Sequence, residues 1–456
     1  MCNTTRRRAR RARVYKVSVA RGVLALAALT SPFTWSNVAR GQTSAASPVL
    51  LGDLYAQVQH ASPKIAAARS LVQAAQARVA GATRPPDPVL QFGFMNYDIA
   101  TLAPMPTIGM AQLQLMQMLP LGGKLALAGR VAESQASATS ARAEDVAWDL
   151  RNAAAMAFYD LYVANRGLDL KRETLRILQD IERTAEAMYR VGEGRQADVL
   201  RAQVEIAKMA EDTIRMQTMR ETMGAKLNAL LDRDASTVLG DPAFPRLPES
   251  VPSRAWFDSI ALAERPMVRA GLDDVHAAES SERLARKEIW PDLQVGVQYA
   301  QQGGEMGTQR MGSLMLGASI PIFARDRQLK MRDESAAMRK MAQADLAAMR
   351  AETRGKIGEA YANLIAARNL AQLYRTTVLP QSEATAASAL SAYRVGRVDF
   401  MTLLDDRMTV NKYHEELYTL EADQGKAWAE LEMLVGRALL DANQVAVTGA
   451  VTRGGQ

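Results

Sequence analysis

The feature that most constrains the fold is an internal duplication. The tetrapeptide YRVG occurs at 189–192 and again at 393–396. Other segments recur at nearly the same offset, PVLQFGF with PDLQVGV and AKLNALLDR with AELEMLVGR. The repeated unit is about 200 residues long, which is far longer than the units of the usual solenoid repeats. The sequence therefore predicts one body built from two large, similar halves.

The first 41 residues hold nine of the 56 basic residues and no acidic one. This basic stretch is followed by a short apolar run, GVLALAAL, and by small residues around Arg40, as in a secretory signal peptide. We therefore expect residues 1–41 to be a signal peptide and the mature protein to be exported. A basic nucleic-acid-binding arm is the alternative, but no basic or aromatic cluster downstream supports nucleic acid as a partner.

Cysteine and histidine do not indicate a metal centre or a disulfide framework. The one cysteine is Cys2, inside the expected signal peptide, and the three histidines (His60, His276 and His414) are isolated from other metal-ligand types. The sequence also lacks a phosphate-binding loop and a nucleophile elbow. We expect no lipid anchor, no cofactor and no enzymatic activity.

Four stretches alternate between apolar residues and uncharged polar or small residues. They lie at 88–97, 110–119, 292–300 and 311–320. Alternation over about ten residues is typical of tilted transmembrane β-strands. Two ordinary hairpins of a soluble domain are the alternative. We expect one β-hairpin over 88–119 and a second over 291–320.

The remainder has a helical composition. No proline interrupts the chain from Lys124 to Tyr189, and about 65 helical residues would extend roughly 100 Å. Apolar residues recur every 3.5 positions after each YRVG, which is the spacing of coiled-coil packing. We expect each YRVG to end a long helix, with Gly192 or Gly396 turning the chain so that a second helix returns along the first.

These elements define the expected organisation and fold class, mainly α with membrane β. A signal peptide (1–41) precedes a first repeat (42–240), whose helical hairpin covers 124–231. A Pro-rich connector (241–253) leads to a second repeat (254–440), whose helical hairpin covers 327–436. A flexible tail (441–456) follows. Four strands cannot close a barrel or satisfy their edges in lipid. If the strands cross a membrane, several chains must therefore pool them.

The chain resembles the outer-membrane efflux (TolC) family over about residues 50–440. The resemblance rests on the duplicated order of helix, two strands and long helical hairpin, on Pro88 and Pro291 just before strands, and on both YRVG turns. LPLGGK at 119–124 resembles the strand-to-helix junction of members that serve heavy-metal exporters.

The resemblance implies a homotrimer in the outer membrane of a Gram-negative bacterium. Four strands from each chain would form one 12-stranded barrel in outer-membrane lipid, and the helices would form a periplasmic tunnel. It also implies a periplasmic adaptor (a membrane fusion protein) and an inner-membrane pump, of the RND type, as partners. The implied function is an exit duct for heavy-metal cations, with drug efflux as an alternative. An exported coiled-coil or adhesin-like protein without a pore is the alternative of another class.

Two sets of residues take roles from the resemblance. The hairpin tips that would contact the adaptor are Val191, Gly192, Val395, Gly396 and Arg397. The periplasmic constriction would be formed by Asp198, Asp405, Tyr393 and Thr402. Three copies of a carboxylate in a narrow tube would favour cations over anions. The alternative is that the acids only stabilise the first turns of the returning helices.

Methionines crowd the first predicted β-hairpin. These are Met95, Met105, Met110, Met116 and Met118. Thioethers bind Cu(I) and Ag(I), so the cluster is a candidate metal site, and contact with lipid is the alternative explanation. Met209, Met216, Met219 and Met223 lie largely on the packing seam of a predicted helix, where methionine fills gaps.

Overall fold

A computed structural model describes residues 48–101, 103–105, 109–304 and 307–440. The expected signal peptide and the expected tail lie outside the described residues.

Within the described part, the first repeat consists of four helices and two strands. In chain order they are α1 (Leu51–Ala61), α2 (Pro63–Ala82), β1 (Val89–Met95), β2 (Met110–Leu119), α3 (Lys124–Arg190) and α4 (Gln196–Leu230). Helix α2 begins with Pro63, because the missing N–H and fixed φ of proline suit the first turn of a helix.

The second repeat follows the same plan. Its elements are α5 (Arg254–Glu264), α6 (Pro266–Lys287), β3 (Leu293–Gly304), β4 (Gly307–Ala318), α7 (Gln328–Leu373), a π-helical turn (Tyr374–Val378), α8 (Leu379–Arg394) and α9 (Phe400–Val435). Pro266 starts α6 as Pro63 starts α2. The predicted class, mainly helical with a small antiparallel sheet and an internal duplication, is confirmed.

The four strands form one antiparallel sheet in the order β1-β2-β3-β4. The two hairpins therefore join side by side through β2 and β3, and β1 and β4 are the edges. Strand β1 has 7 residues and is shorter than the expected length of about ten. It ends at Met95 because Asn96 adopts a left-handed backbone with φ of 55°.

The sheet has two chemically different faces. Phe92 lies opposite Leu113, and Leu113 lies opposite Tyr299, so these apolar side chains share a face. The alternate positions carry glutamine, glycine and methionine. The apolar face is uncovered in the single chain, where Phe92 is 71% exposed and Leu314 is 70% exposed. A soluble sheet normally buries such a face, so this one needs a partner or lipid.

The helices form an elongated body in which α3 is the longest element. Its 67 residues extend roughly 100 Å. Helix α4 packs along α3, while α9 packs along α3, α7 and α8. In one core cluster Tyr159 of α3 is fully buried, and in another Trp428 of α9 packs on Phe257. No helix in the described residues is both long and apolar enough to cross a membrane.

The predicted coiled-coil seam of the first returning helix carries buried residues. Ala202, Met209 and Leu227 of α4 are buried. Met216 packs over Gly167 of α3, where a Cβ would lie 2.9 Å from the Met216 Cε. The helical methionines Met209 and Met216 thus pack between helices, as methionine often does.

The long helix before the second turn is not continuous. A π-helical turn at Tyr374–Val378 separates α7 from α8. Pro380 lies two residues after its end, and proline both lacks an N–H and clashes with the carbonyl four residues earlier, here that of Thr376. The wider π turn accommodates this ring. The connector at 241–253 contains neither helix nor strand, and Pro242 forms an isolated bridge to Val49.

Candidate functional site

The first YRVG ends α3 in a Schellman motif. The Glu193 N–H donates to the Met188 carbonyl at 3.0 Å, and the Gly192 N–H donates to the Tyr189 carbonyl at 3.1 Å. Gly192 has φ of 81°, which only glycine adopts without strain. The glycine therefore fixes the position at which the chain leaves the helix.

The second YRVG repeats this geometry at the end of α8. The Arg397 N–H donates to the Ala392 carbonyl at 3.0 Å, and the Gly396 N–H donates to the Tyr393 carbonyl at 3.0 Å. Gly396 has φ of 70°. The repeated tetrapeptide thus encodes two identical helix ends.

All five residues predicted for the hairpin tips lie at these turns on the surface. Val191 is 71% exposed and Val395 is 67% exposed, although valine is an apolar residue. Gly192, Gly396 and Arg397 are exposed beside them. Each turn therefore presents one apolar side chain to its surroundings.

A cavity of about 380 Å³ lies between the two turns. Asp198 and Tyr393, two of the four predicted constriction residues, line it together with Gly396 and Arg397. Its charged lining residues are mixed in sign: Glu193, Arg195, Asp198, Arg201, Arg397 and Asp399. Within one chain, Asp198 therefore stands among arginines.

Tyr393 lies in the packed interior of the tip. It is 4% exposed and packs edge-to-face against Phe400, with ring centroids 5.8 Å apart. Its hydroxyl is buried and has no hydrogen-bond partner among the described residues. Burial, and secondarily the negative charge of Asp198, raises the pKa of Tyr393. The tyrosine is therefore neutral at physiological pH and holds α8 against α9.

The other two predicted constriction residues lie apart from the cavity. Thr402 is exposed, and its hydroxyl donates to the carboxylate of Asp399, the N-cap residue of α9. This hydrogen bond lowers the pKa of Asp399. Asp405 is exposed on the first turns of α9. The structure of one chain thus brings Asp198 and Tyr393 together and leaves Asp405 and Thr402 outside.

Four charged residues of the cavity were not predicted from the sequence. They are Glu193, Arg195, Arg201 and Asp399, and each lies within the first residues after a YRVG turn. That shared position was the available signal, because residues that follow two paired turns meet at the same end of the helical body.

The LPLGGK motif forms a junction between the two halves. Gly122 and Gly123 have φ of 72° and 77°, and they turn the chain from β2 into α3. The Lys124 ammonium is buried, where it donates to the Trp290 carbonyl at 2.9 Å and to Asp292 Oδ1 at 2.8 Å. Removing either partner of such a buried pair leaves an uncompensated charge. The motif therefore has a structural role in this chain, which is to turn the chain after β2 and to join the two halves through Lys124.

Four of the five candidate metal-binding methionines lie on strands. Met95 and Met110 face each other across β1 and β2, and Met116 and Met118 follow along β2. Met105 lies outside the strands and is 43% exposed. No cluster of His, Cys, Asp or Glu that could hold a metal occurs in the part of the chain that the structure describes.

The duplicated architecture and paired turns agree with the comparison to known families. The model of the outer membrane efflux protein family matches residues 54–232 and again residues 259–437. The chain belongs to this family. The double match reproduces the two repeats, and membership confirms the resemblance and the expected outer-membrane localisation.

Relatives with known roles are distant. The outer membrane efflux protein BepC of Brucella suis is 26% identical over 58% of this chain and 58% of its own length. The pyoverdine export outer membrane protein OpmQ of Pseudomonas putida is 25% identical over 61% of this chain and 60% of its own length. The chain thus spans about three fifths of the length of these two relatives. The cobalt-zinc-cadmium resistance protein CzcC of Cupriavidus metallidurans is 22% identical over 70% of this chain and 75% of its own length.

Solved structures share the fold at low sequence identity. CusC superposes with a TM-score of 0.74 at 15% identity, covering 86% of this chain and 94% of CusC. The outer membrane protein VceC from Vibrio cholerae superposes with a TM-score of 0.73 at 17% identity, covering 86% of this chain and 97% of VceC.

Proposed function

We propose that this protein is one subunit of a trimeric exit duct that carries heavy-metal cations through the outer membrane. It would act with a periplasmic adaptor and an inner-membrane pump of the RND type in a tripartite efflux system. The observation that carries this proposal is the open four-stranded sheet, with its uncovered apolar face, mounted on helices that extend roughly 100 Å. A sheet of this kind requires both lipid and additional strands.

The unpaired edges of the sheet support a barrel that is closed by three copies of the chain. Strands β1 and β4 are edges in the single chain, and open edges are not tolerated in hydrocarbon. If β4 of one copy pairs with β1 of the next, three copies supply twelve strands and no edge remains. The apolar face would then contact lipid, and the glutamine-rich face would line the pore.

The helical part supports the same assembly. Leu200, Val204 and Ile214 of α4 are 54%, 54% and 69% exposed. These apolar side chains lie on the side of α4 that does not pack on α3. Neighbouring copies arranged around a tunnel would bury them.

The metal cargo is supported by the relative CzcC and by the LPLGGK junction. Export of drugs or other small molecules is the competing proposal, and it is supported by the relative OpmQ, which is named for pyoverdine export. Deletion of the gene followed by growth on copper, silver, cobalt, zinc and cadmium salts, beside hydrophobic drugs, separates the two. Sensitivity to drugs alone would contradict the metal assignment.

For the tip residues we propose two roles. Val191, Gly192, Val395, Gly396 and Arg397 would contact the adaptor. Asp198 and Asp405, with Tyr393 and Thr402 nearby, would form the periplasmic constriction once three copies surround it. The double variant Asp198→Asn with Asp405→Asn in lipid bilayers tests the second role, because unchanged conductance and cation preference would remove it. Site-specific crosslinking from position 191 or 395 to the adaptor tests the first.

The oligomer itself separates a duct from a coiled-coil adhesin without a pore. We expect a detergent-extracted trimer in the outer-membrane fraction that conducts ions in planar bilayers. A stable monomer that remains in solution without detergent would contradict the duct.

A further inference from the structure

The strands carry six methionines, and the register places all of them on one face. They are Met95 on β1, Met110, Met116 and Met118 on β2, and Met311 and Met315 on β4. Met110 lies opposite Met95, and Met116 lies opposite Gly296, which in turn lies opposite Met315. Residues that face each other directly in an antiparallel sheet point to the same side.

This face is the glutamine face and not the apolar one. Gln112 and Gln114 alternate with the apolar Leu113 and Leu115 on β2, and Met116 and Met118 continue the glutamine series. The Gln298 amide donates to the Gln112 carbonyl oxygen at 2.5 Å, which confirms that glutamines of neighbouring strands meet on this side. Lipid contact therefore does not explain the strand methionines, because the opposite face is the apolar one.

Two of the methionine side chains flank a glycine, and a third lies nearby on the same face. A Cβ placed on Gly296 would lie 3.2 Å from the Met116 Cγ and 3.8 Å from the Met315 Cβ, so the two side chains flank the gap that Gly296 leaves. Met118 lies two residues beyond Met116 on the same face and opposite Gln294. Because glycine contributes no side chain, the sulfur atoms can approach one another above the middle strand.

Within the described strands the glutamine face carries no charged side chain, and its methionine sulfur atoms are soft metal ligands. Its positions on the four strands are occupied by Met, Gln, Gly, Ala, Ser and Val, and Arg310 belongs to the other face. Thioethers select Cu(I) and Ag(I), whereas Zn²⁺ prefers imidazole, thiolate or carboxylate ligands. The described residues of the face offer none of these harder ligands.

We infer that Met116, Met118 and Met315 form a binding site for soft monovalent cations, Cu(I) or Ag(I), on the pore-lining face of the barrel. This inference rests on the proposed function for the statement that the face lines the pore, and it sharpens the cargo to soft metals. Met95 and Met110 form a second thioether pair roughly 20 Å away along the strands, at about 3.3 Å per residue. The two groups would give a soft cation successive contacts along the pore.

Silver binding to the full-length, detergent-solubilised protein tests the site, because Ag(I) does not change oxidation state during a titration. Calorimetry should detect Ag(I) binding and no Zn(II) binding at the same concentrations. The double variant Met116→Leu with Met315→Leu keeps the side-chain volumes. It should weaken Ag(I) binding by about tenfold or more, because it removes two of the three soft ligands.

The matched control is Met338→Leu with Met341→Leu, which removes two exposed thioethers from α7. This control should bind Ag(I) as the wild type does. An absence of Ag(I) binding, or an equal loss in both double variants, would overturn the site. Bilayer conductance decides the proposed function separately. A conducting protein that does not bind silver retains the duct and loses the site, and a protein that binds silver without conducting retains the site and loses the duct.

Discussion

The two helical hairpins turn at the same tetrapeptide, but the tyrosines of the two turns lie in different environments. Both YRVG turns form the same Schellman motif, yet Tyr189 is 45% exposed whereas Tyr393 is 4% exposed. The difference comes from the neighbours. Tyr393 lies where α8 and α9 meet residues of α3 and α4, including Leu178 and Ala202. Duplication therefore preserved the backbone of the turn, and packing against the other half decided what each copy of the residue does.

The long helices of the two hairpins differ in the same way. Helix α3 is continuous over 67 residues, while its counterpart is divided by the π-helical turn before Pro380. Counted back from the shared YRVG, Pro380 corresponds to Arg176 of α3. Arg176 is exposed, so no buried contact depends on its side chain. One substitution at each of these two positions can therefore compare how the two long helices tolerate proline.

Arg176→Pro should have the largest effect. In the interior of α3 a proline removes a hydrogen bond and clashes with the preceding turn, which costs about 3 kcal/mol or more. The counterpart Pro380→Ala should change the stability by less than about 1 kcal/mol, because its π turn already accommodates the proline. Thermal unfolding of both detergent-solubilised variants measures the contrast. Equal effects would mean that the two long helices tolerate interruption alike.

The returning helices offer a second contrast at their glycines. Gly425 of α9 lies so close to α3 that an added Cβ would overlap the Tyr159 ring, whereas a Cβ on Gly224 of α4 would meet only the Leu239 Cδ1, at 3.9 Å. Gly425→Ala should destabilise the protein by about 1–3 kcal/mol through overpacking. Gly224→Ala should stabilise it by up to about 1 kcal/mol through helix propensity.

Melting temperatures of the two alanine variants should therefore shift in opposite directions. A rise for Gly425→Ala would show that α9 does not pack against α3 as closely as described. A fall for Gly224→Ala would show that assembly of several chains uses the free space at this glycine.

The two YRVG tyrosines provide a third contrast. Tyr393→Phe removes a buried hydroxyl that has no hydrogen-bond partner among the described residues, so it should stabilise the protein by about 1 kcal/mol. Tyr189→Phe should have almost no effect, because Tyr189 is partly exposed. Melting temperatures of both variants provide the measurement. If Tyr393→Phe is destabilising, the hydroxyl must have a hydrogen-bond partner outside the described residues of one chain.

Many of these features of the fold could be predicted from the sequence, because helix ends and strand alternation depend on residues close together in the chain. The glycine of each YRVG was enough to predict both turns. Pro380 was also visible and could have predicted the interruption of the second long helix. The alternation of Met116 and Met118 with Leu115 likewise indicated their face.

The burial of Tyr393 and the position of Asp405 could not be predicted in this way. Identical tetrapeptides give no information about which neighbours pack on each. Asp198 and Asp405 both follow a YRVG turn, but only Asp198 lies in the cavity between the turns, because that depends on how α4 and α9 are rotated about their axes. Such rotation is set by contacts between residues far apart in the chain.

The smallest predicted effect concerns a buried acid on α3. Burial raises the pKa of Asp145, while the positive charge of Arg265 lowers it by a smaller amount. A carboxyl whose pKa is higher in the folded state than in the unfolded chain costs stability when it is ionised, and this cost disappears as the pH falls through the raised pKa toward the ordinary value of 3.8. Asp145→Asn should therefore stabilise the protein at pH 7, by about 1 kcal/mol or less. The advantage should shrink between pH 7 and pH 4.

The exposed Asp180 on the same helix is the control, because Asp180→Asn removes a charge that the solvent already screens. Melting temperatures measured at several pH values would show a gap between wild type and Asp145→Asn that closes on acidification, with no such gap for Asp180→Asn. A gap that instead widens on acidification would mean that the Asp145 carboxylate is stabilised by Arg265 more than it is destabilised by burial. The interior of the first hairpin would then tolerate charge as well as its surface does.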